Sequence, residues 1–123
     1  MGKMPIDRTR YPRHPDSRPI HLGIDDGAYV FAQDEAGIVH VLEDGPHRHP
    51  LILGEARPAR FAGDLTIDQE DVTDITNLSG TFQFDSADGL IEVVRNLEDL
   101  GFTVRAGAVR LFPIDGSRPI VLR

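Results

Sequence analysis

The sequence predicts an α+β domain: a largely antiparallel β-sheet of short strands with one amphipathic helix, over about residues 86–100, packed on it. Two observations carry this. Apolar residues recur at spacings of three and four between Leu90 and Leu100, the period of a half-buried helix. Through most of the remaining chain, short runs rich in β-branched and aromatic residues alternate with Gly, Pro, Asp and Ser turns. A length of 123 residues fits one domain, long enough to bury a core without a metal or disulfide to hold it.

In the helix, Leu90, Ile91, Val93, Val94, Leu97 and Leu100 form the apolar stripe, and Glu92, Arg95, Asn96, Glu98 and Asp99 mark the wet side. Asp85 or Ser86 is placed to accept from an orphan amide of the first turn, and Asp88 puts negative charge at the positive end of the helix dipole. Gly101 suits the left-handed residue just past the end.

Residues 1–19 carry Pro5, Pro12, Pro15 and Pro19 among Arg, Asp and Ser and read as a basic, Pro-rich arm, extended or mobile, ahead of a single globular domain over residues 20–123. Residues 20–24 read as a short strand ended by Asp25-Asp26-Gly27. Residues 28–32 and 38–42 flank Asp34-Glu35-Ala36-Gly37 and form a hairpin. Leu51-Ile52-Leu53 reads as a short apolar strand stopped by Gly54. In 64–67, Leu65 and Ile67 share one face while Asp64, Thr66 and Asp68 share the other. An acidic turn follows, then residues 72–77 as a strand of mixed pattern, a Ser79-Gly80 turn, and a strand Thr81-Phe82-Gln83-Phe84. After the helix, residues 102–105 and 108–112 flank Ala106-Gly107 as a second hairpin, and Ile120-Val121-Leu122 is a last strand.

The formal net charge of −7 is unevenly spread: residues 1–18 hold five bases (Lys3, Arg8, Arg10, Arg13, Arg18) against Asp7 and Asp16, leaving a body of about −10. That argues against nucleic-acid binding across the surface and suits a basic protein partner, or solubility alone. The chain has no cysteine, which removes disulfides, thiolate metal sites and cysteine nucleophiles and suits a reducing, cytoplasmic compartment. No run approaches a signal sequence or a membrane span.

The run from His49 to Leu53, Ala62-Gly63-Asp64-Leu65-Thr66-Ile67, the run Val72-Thr73-Asp74-Ile75-Thr76-Asn77-Leu78-Ser79-Gly80-Thr81-Phe82, and the helix closed by Leu100-Gly101 resemble a small β-rich module of bacterial secreted effectors and polymorphic toxins. In that module a histidine-containing segment precedes an Ala-Gly-acidic strand, then a strand ending in Asn-x-Ser-Gly-His-Tyr, then a helix. The likeness covers about residues 47–101. Where the family has Ser-Gly-His-Tyr, this chain has Ser79-Gly80-Thr81-Phe82, and the Pro that usually follows is missing. The resemblance, with that histidine replaced, implies a non-enzymatic binding protein, most specifically an immunity, inhibitor or accessory protein of a toxin.

Two groups of residues stand out as candidate sites. Asp64, Asp68, Glu70, Asp71 and Asp74 cluster around one turn and offer an acidic surface to a cationic partner; they lack the glycine and alternation of a calcium loop, and a solvated turn is the ordinary reading. His47 and His49, two apart, have metal-like spacing in an extended segment; a third ligand would have to come from His40, Asp44 or a distant carboxylate, none of which the sequence fixes, and imidazoles in a Gly-Pro turn are commonly solvated. The alternative function is therefore a small enzyme or ligand-binding domain sited near His40, His47 and His49. No Gly-x-Ser-x-Gly elbow, P-loop or dinucleotide fingerprint is present, and no cofactor is implied. An exposed terminal strand at Ile120-Val121-Leu122 also invites self-association.

Overall fold

The computed structural model describes residue 4 and residues 11–45, 48–54, 57–79, 84 and 86–123. Its elements, in chain order, are β1 (Arg18–Pro19), β2 (Gly27–Gln33), β3 (Val39–Glu43), α1 (His49–Leu53), β4 (Phe61–Asp68), β5 (Asp71–Thr76), α2 (Ala87–Asp99), β6 (Thr103–Val104), β7 (Val109–Leu111) and β8 (Ile120–Val121). The fold is α+β. An eight-stranded sheet runs β1-β3-β2-β4-β5-β7-β8, with β6 also beside β5. All pairs are antiparallel except β5 with β6 and β5 with β7.

The two faces of the sheet are covered differently. Strand alternation sends Tyr29, Phe31, Val39, Val41, Leu65, Ile67 and Ile75 to one side, where they pack with Leu90, Val93, Val94 and Leu97 of α2. It sends Val30, Ala32, Leu42 and Ala62 to the other, where they meet Ile52 and Leu53 of α1. Burying the four large aliphatics of α2 contributes about 6–12 kcal/mol before entropy. Ser86 caps this helix, its hydroxyl accepting from the Gly89 amide at 3.1 Å, and Gly101 takes φ +109° just beyond the end. Leu100, placed in the apolar stripe by its spacing, is instead 48% exposed, because the helix has ended by Asp99 and the chain is turning into Gly101.

The β2–β3 hairpin is present, with Asp34 accepting from the Ala36 and Ile38 amides inside the turn. Three local expectations change. Leu51-Ile52-Leu53 belongs to α1, not to a strand: a proline in the first turn has its φ pre-set for a helix and no amide to waste, and Gly54 at φ +74° ends it. Residues 102–105 and 108–112 do not pair with each other. Thr103–Val104 and Val109–Leu111 both lie alongside β5 in the same direction, and Ala106-Gly107 is a protrusion between them. A strand returning from a helical crossover runs parallel to the strand that preceded the helix, as β5-α2-β6 does. In the 20–24 region, pairing occurs earlier, Arg18 opposite Val41 and Pro19 opposite His40, while Ile20 and Ile24 fill the core from a turn that contains Gly23 at φ +87°. The C-terminal strand is observed as β8, an edge on which Ile120 and Val121 are exposed. The expected strand 81–84 falls on residues that, except for Phe84, lie outside those described.

Candidate binding site on the α1 face

Helix α1 delivers His49 to the sheet. The ring is buried, and its Nε2 lies 2.8 Å from the carbonyl oxygen of Gly63. A carbonyl only accepts, so Nε2 carries the proton and the neutral tautomer is assigned by its partner. Burial lowers the pKa of His49 below its ordinary value, overriding the Gly63 hydrogen bond and the charge of Asp44, both of which raise it. Residue 63 is glycine for a separate reason, the close passage of β5: a Cβ there would overlap the carbonyl oxygen of Thr76 and crowd the Phe31 ring.

The next residue, Asp64, stands on the same face of β4 as Thr66, opposite Val30 of β2. Its carboxylate is 3.9 Å from His49 Nε2, beyond hydrogen-bond reach. Among the described residues, no arginine or lysine comes within ion-pair distance of Asp64. Partial burial, followed by the charges of Asp44 and Asp74, raises its pKa from 3.8 to about 6. Asp64 is thus a carboxylate in excess of its local counter-charge, set against a neutral imidazole.

The other four acidic candidates are differently placed. Asp74 lies opposite Thr66 and is held by a fork from Arg110, Nε to Oδ1 at 2.8 Å and Nη2 to Oδ2 at 2.9 Å. These hydrogen bonds strengthen the protonated state of Arg110, which also lies over the Phe112 ring. Asp71 accepts from Arg105 Nε at 3.2 Å, and Asp68 lies 3.7 Å from the same guanidinium. Glu70 accepts from the Gly23 amide at 3.0 Å. Arg105 and Arg110 thus compensate Asp68, Asp71 and Asp74, and Glu70 is taken up by a backbone amide, which leaves Asp64 with neither among the described residues.

His40 and His49 have separate partners. His40 lies between Arg13 Nη2, 3.2 Å from its Nδ1, and Asp34 Oδ2, 2.8 Å from its Nε2. His47 lies outside the described residues. Among the described residues no group of three or more His, Cys, Asp or Glu is arranged to hold a metal ion. The sequence does not mark Arg110 and Arg105, which decide which carboxylates remain uncompensated, as part of the site, because β6 and β7 pair with β5 across a helix rather than with each other. Comparison with protein-family profiles, with curated proteins and with solved structures gives no match. No helix among the described residues is long and apolar enough to cross a membrane.

Proposed function

We propose that the chain is a non-enzymatic protein-binding module, an immunity, inhibitor or accessory protein of a bacterial toxin or effector, which receives a cationic side chain of its partner at Asp64. The supporting observation is geometric: Asp64 is a partly buried carboxylate with no arginine or lysine within ion-pair distance among the described residues, while its neighbours Asp68, Asp71 and Asp74 each have one, and burial with the charges of Asp44 and Asp74 pushes its pKa up to about 6. A lysine or arginine arriving there relieves the repulsion from Asp44 and Asp74 that the free protein carries. The acidic body of the chain speeds the encounter with such a partner.

The test is co-expression and pull-down with the product of the adjacent open reading frame, followed by titration at increasing salt. A complex that weakens with salt, and by about tenfold or more in Asp64→Asn, supports the reading. Absence of a complex at low salt ends it. A second reading, a small enzyme or ligand-binding domain, draws on the proximity of neutral His49, 3.9 Å away, to a carboxyl whose pKa is pushed up to about 6, two groups suited to proton transfer. His49→Gln separates the two: it removes proton-transfer capacity while retaining a donor for Gly63, so partner binding through Asp64 survives it.

A further inference from the structure

The described part of the N-terminal segment does more than lead into β1. It lies along α1 and supplies what that helix lacks. With five residues and no basic residue in its last turn, α1 leaves its final carbonyls to outside donors. The amide of His14 donates to the Leu51 carbonyl at 2.8 Å, and the Ser17 hydroxyl donates to the Ile52 carbonyl at 2.5 Å. Gly54 lets the segment lie close: a Cβ at that position would fall 2.5 Å from the Arg13 nitrogen. The segment is fastened at its upstream end by Arg13, whose guanidinium reaches His40 of β3.

We propose that His40 is a proton-operated latch on this strap: Arg13 donates to its Nδ1 while its Nε2 donates to Asp34, an arrangement only the neutral ring satisfies, so protonation frees Arg13 and slackens the strap that caps α1 and holds His49 in place. The chemistry is one of donor count. Guanidinium has no acceptor, so the Arg13 contact requires a lone pair on Nδ1. An imidazolium presents N–H at both nitrogens, turning that contact into two donors and two positive charges face to face, while the bond to Asp34 is kept and strengthened.

Among the described residues two charged groups meet the ring, Arg13 at Nδ1 and Asp34 at Nε2. Strands β1 and β2 flank His40 with Pro19 and Ala32, and the ionisable residue of α1, His49, is occupied at Gly63. His14, whose Nδ1 accepts from the Asp16 amide and lies 3.9 Å from the Asp16 carboxylate, and Asp16 are the other titratable groups of the strap between Arg13 and Ser17. The consequence reaches the site on the α1 face because His49 is the first residue of the helix whose last carbonyls the strap caps. The latch stands whether or not Asp64 receives a partner.

The test is NMR on the intact chain between pH 8 and 5, following the imidazole nitrogens of His40 and the exchange protection of the His14 amide, corrected for the intrinsic pH dependence of exchange. The expected result is a ring protonated on Nε2 alone at high pH, with His14 protection falling about tenfold or more as His40 gains its second proton. In His40→Gln, whose amide both accepts from Arg13 and donates to Asp34 without titrating, protection stays level across the range. In Arg13→Ala it is low at every pH. A ring protonated on Nδ1 at high pH, or protection unchanged as His40 titrates, overturns the latch. Protection that falls equally in His40→Gln also overturns it and assigns the effect to His14.

Discussion

Asn77 grips the backbone of Phe112 from both sides: its Nδ2 donates to the Phe112 carbonyl at 2.8 Å and its Oδ1 accepts from the Phe112 amide at 2.6 Å. The side chain thereby substitutes for a strand residue where β5 has ended, and its Nδ2 also donates to the Phe84 carbonyl at 2.6 Å. Asn77 is buried and serves three backbone groups, so removing it takes three hydrogen bonds out of this end of the sheet. Asn77→Ala is expected to cost about 2–4 kcal/mol, measured by urea denaturation. Asn77→Asp is expected to cost at least as much at neutral pH, because a carboxylate there faces two carbonyl oxygens.

Gly89 places two familiar effects in opposition. In the first turn of α2, alanine is intrinsically better than glycine by about 1 kcal/mol. A Cβ at this position, however, would lie 2.7 Å from Phe61 Cδ2, and Phe61 is a buried ring stacked between Phe31 and Phe84. Overpacking a fixed aromatic costs about 1–3 kcal/mol and wins. Gly89→Ala should therefore lower the melting temperature, and Gly89→Ala combined with Phe61→Leu should recover part of the loss.

Helix α2 was legible because its signal is local and redundant: four buried positions, a serine cap and a terminal glycine all agree. Helix α1 was not, since a three-residue apolar run has no period, and the proline in its first turn was the one signal that distinguished it. The β6 and β7 pairing was hidden for a different reason. Ala106-Gly107 is good turn chemistry, but the strand partner lies about thirty residues upstream, across a helix, where local sequence says nothing. The same gap concealed Arg105 and Arg110 from the acidic turn. Residue types alone identified Asp64 and His49 as candidates, but only the fold distinguishes the uncompensated carboxylate from the paired ones.

The β4–β5 turn places Gln69 at φ +52° and Glu70 at φ +67°, a conformation in which non-glycine residues are strained. Backbone contacts hold it there: the Gln69 amide donates to Asp26 Oδ1 at 2.8 Å, and the Glu70 carbonyl accepts from the Thr103 amide at 3.2 Å. Gln69→Gly keeps the amide and removes the strain, so it is expected to stabilise the chain by about 0.5–1 kcal/mol, read from the urea midpoint. Glu70→Gly should gain less, because the Glu70 carboxylate also accepts from the Gly23 amide.

The strongest pH dependence is expected from Asp64 and His49, and the two pull in opposite directions. For Asp64 the folded pKa is raised from 3.8 to about 6, so the folded chain holds a proton that the unfolded chain releases. Its ionised form therefore penalises the fold above about pH 6, and the penalty fades as pH falls toward 4. For His49 the folded pKa is depressed below 6.5, so its contribution is complete above that value and is lost as pH falls from 6.5 to the folded value. Asp64→Asn isolates the histidine. A shift of about two units would correspond to about 3 kcal/mol for a wholly buried group. With the side chain of Asp64 41% exposed, screening reduces the expected gain at pH 7.5 to about 1–2 kcal/mol. Urea denaturation at pH 7.5 and 4.5 checks this: Asp64→Asn should exceed the wild type at the higher pH and approach it at the lower. A variant less stable than wild type at pH 7.5 would mean that Asp64 is satisfied in the free protein, and would remove the reason for a cationic partner to bind there.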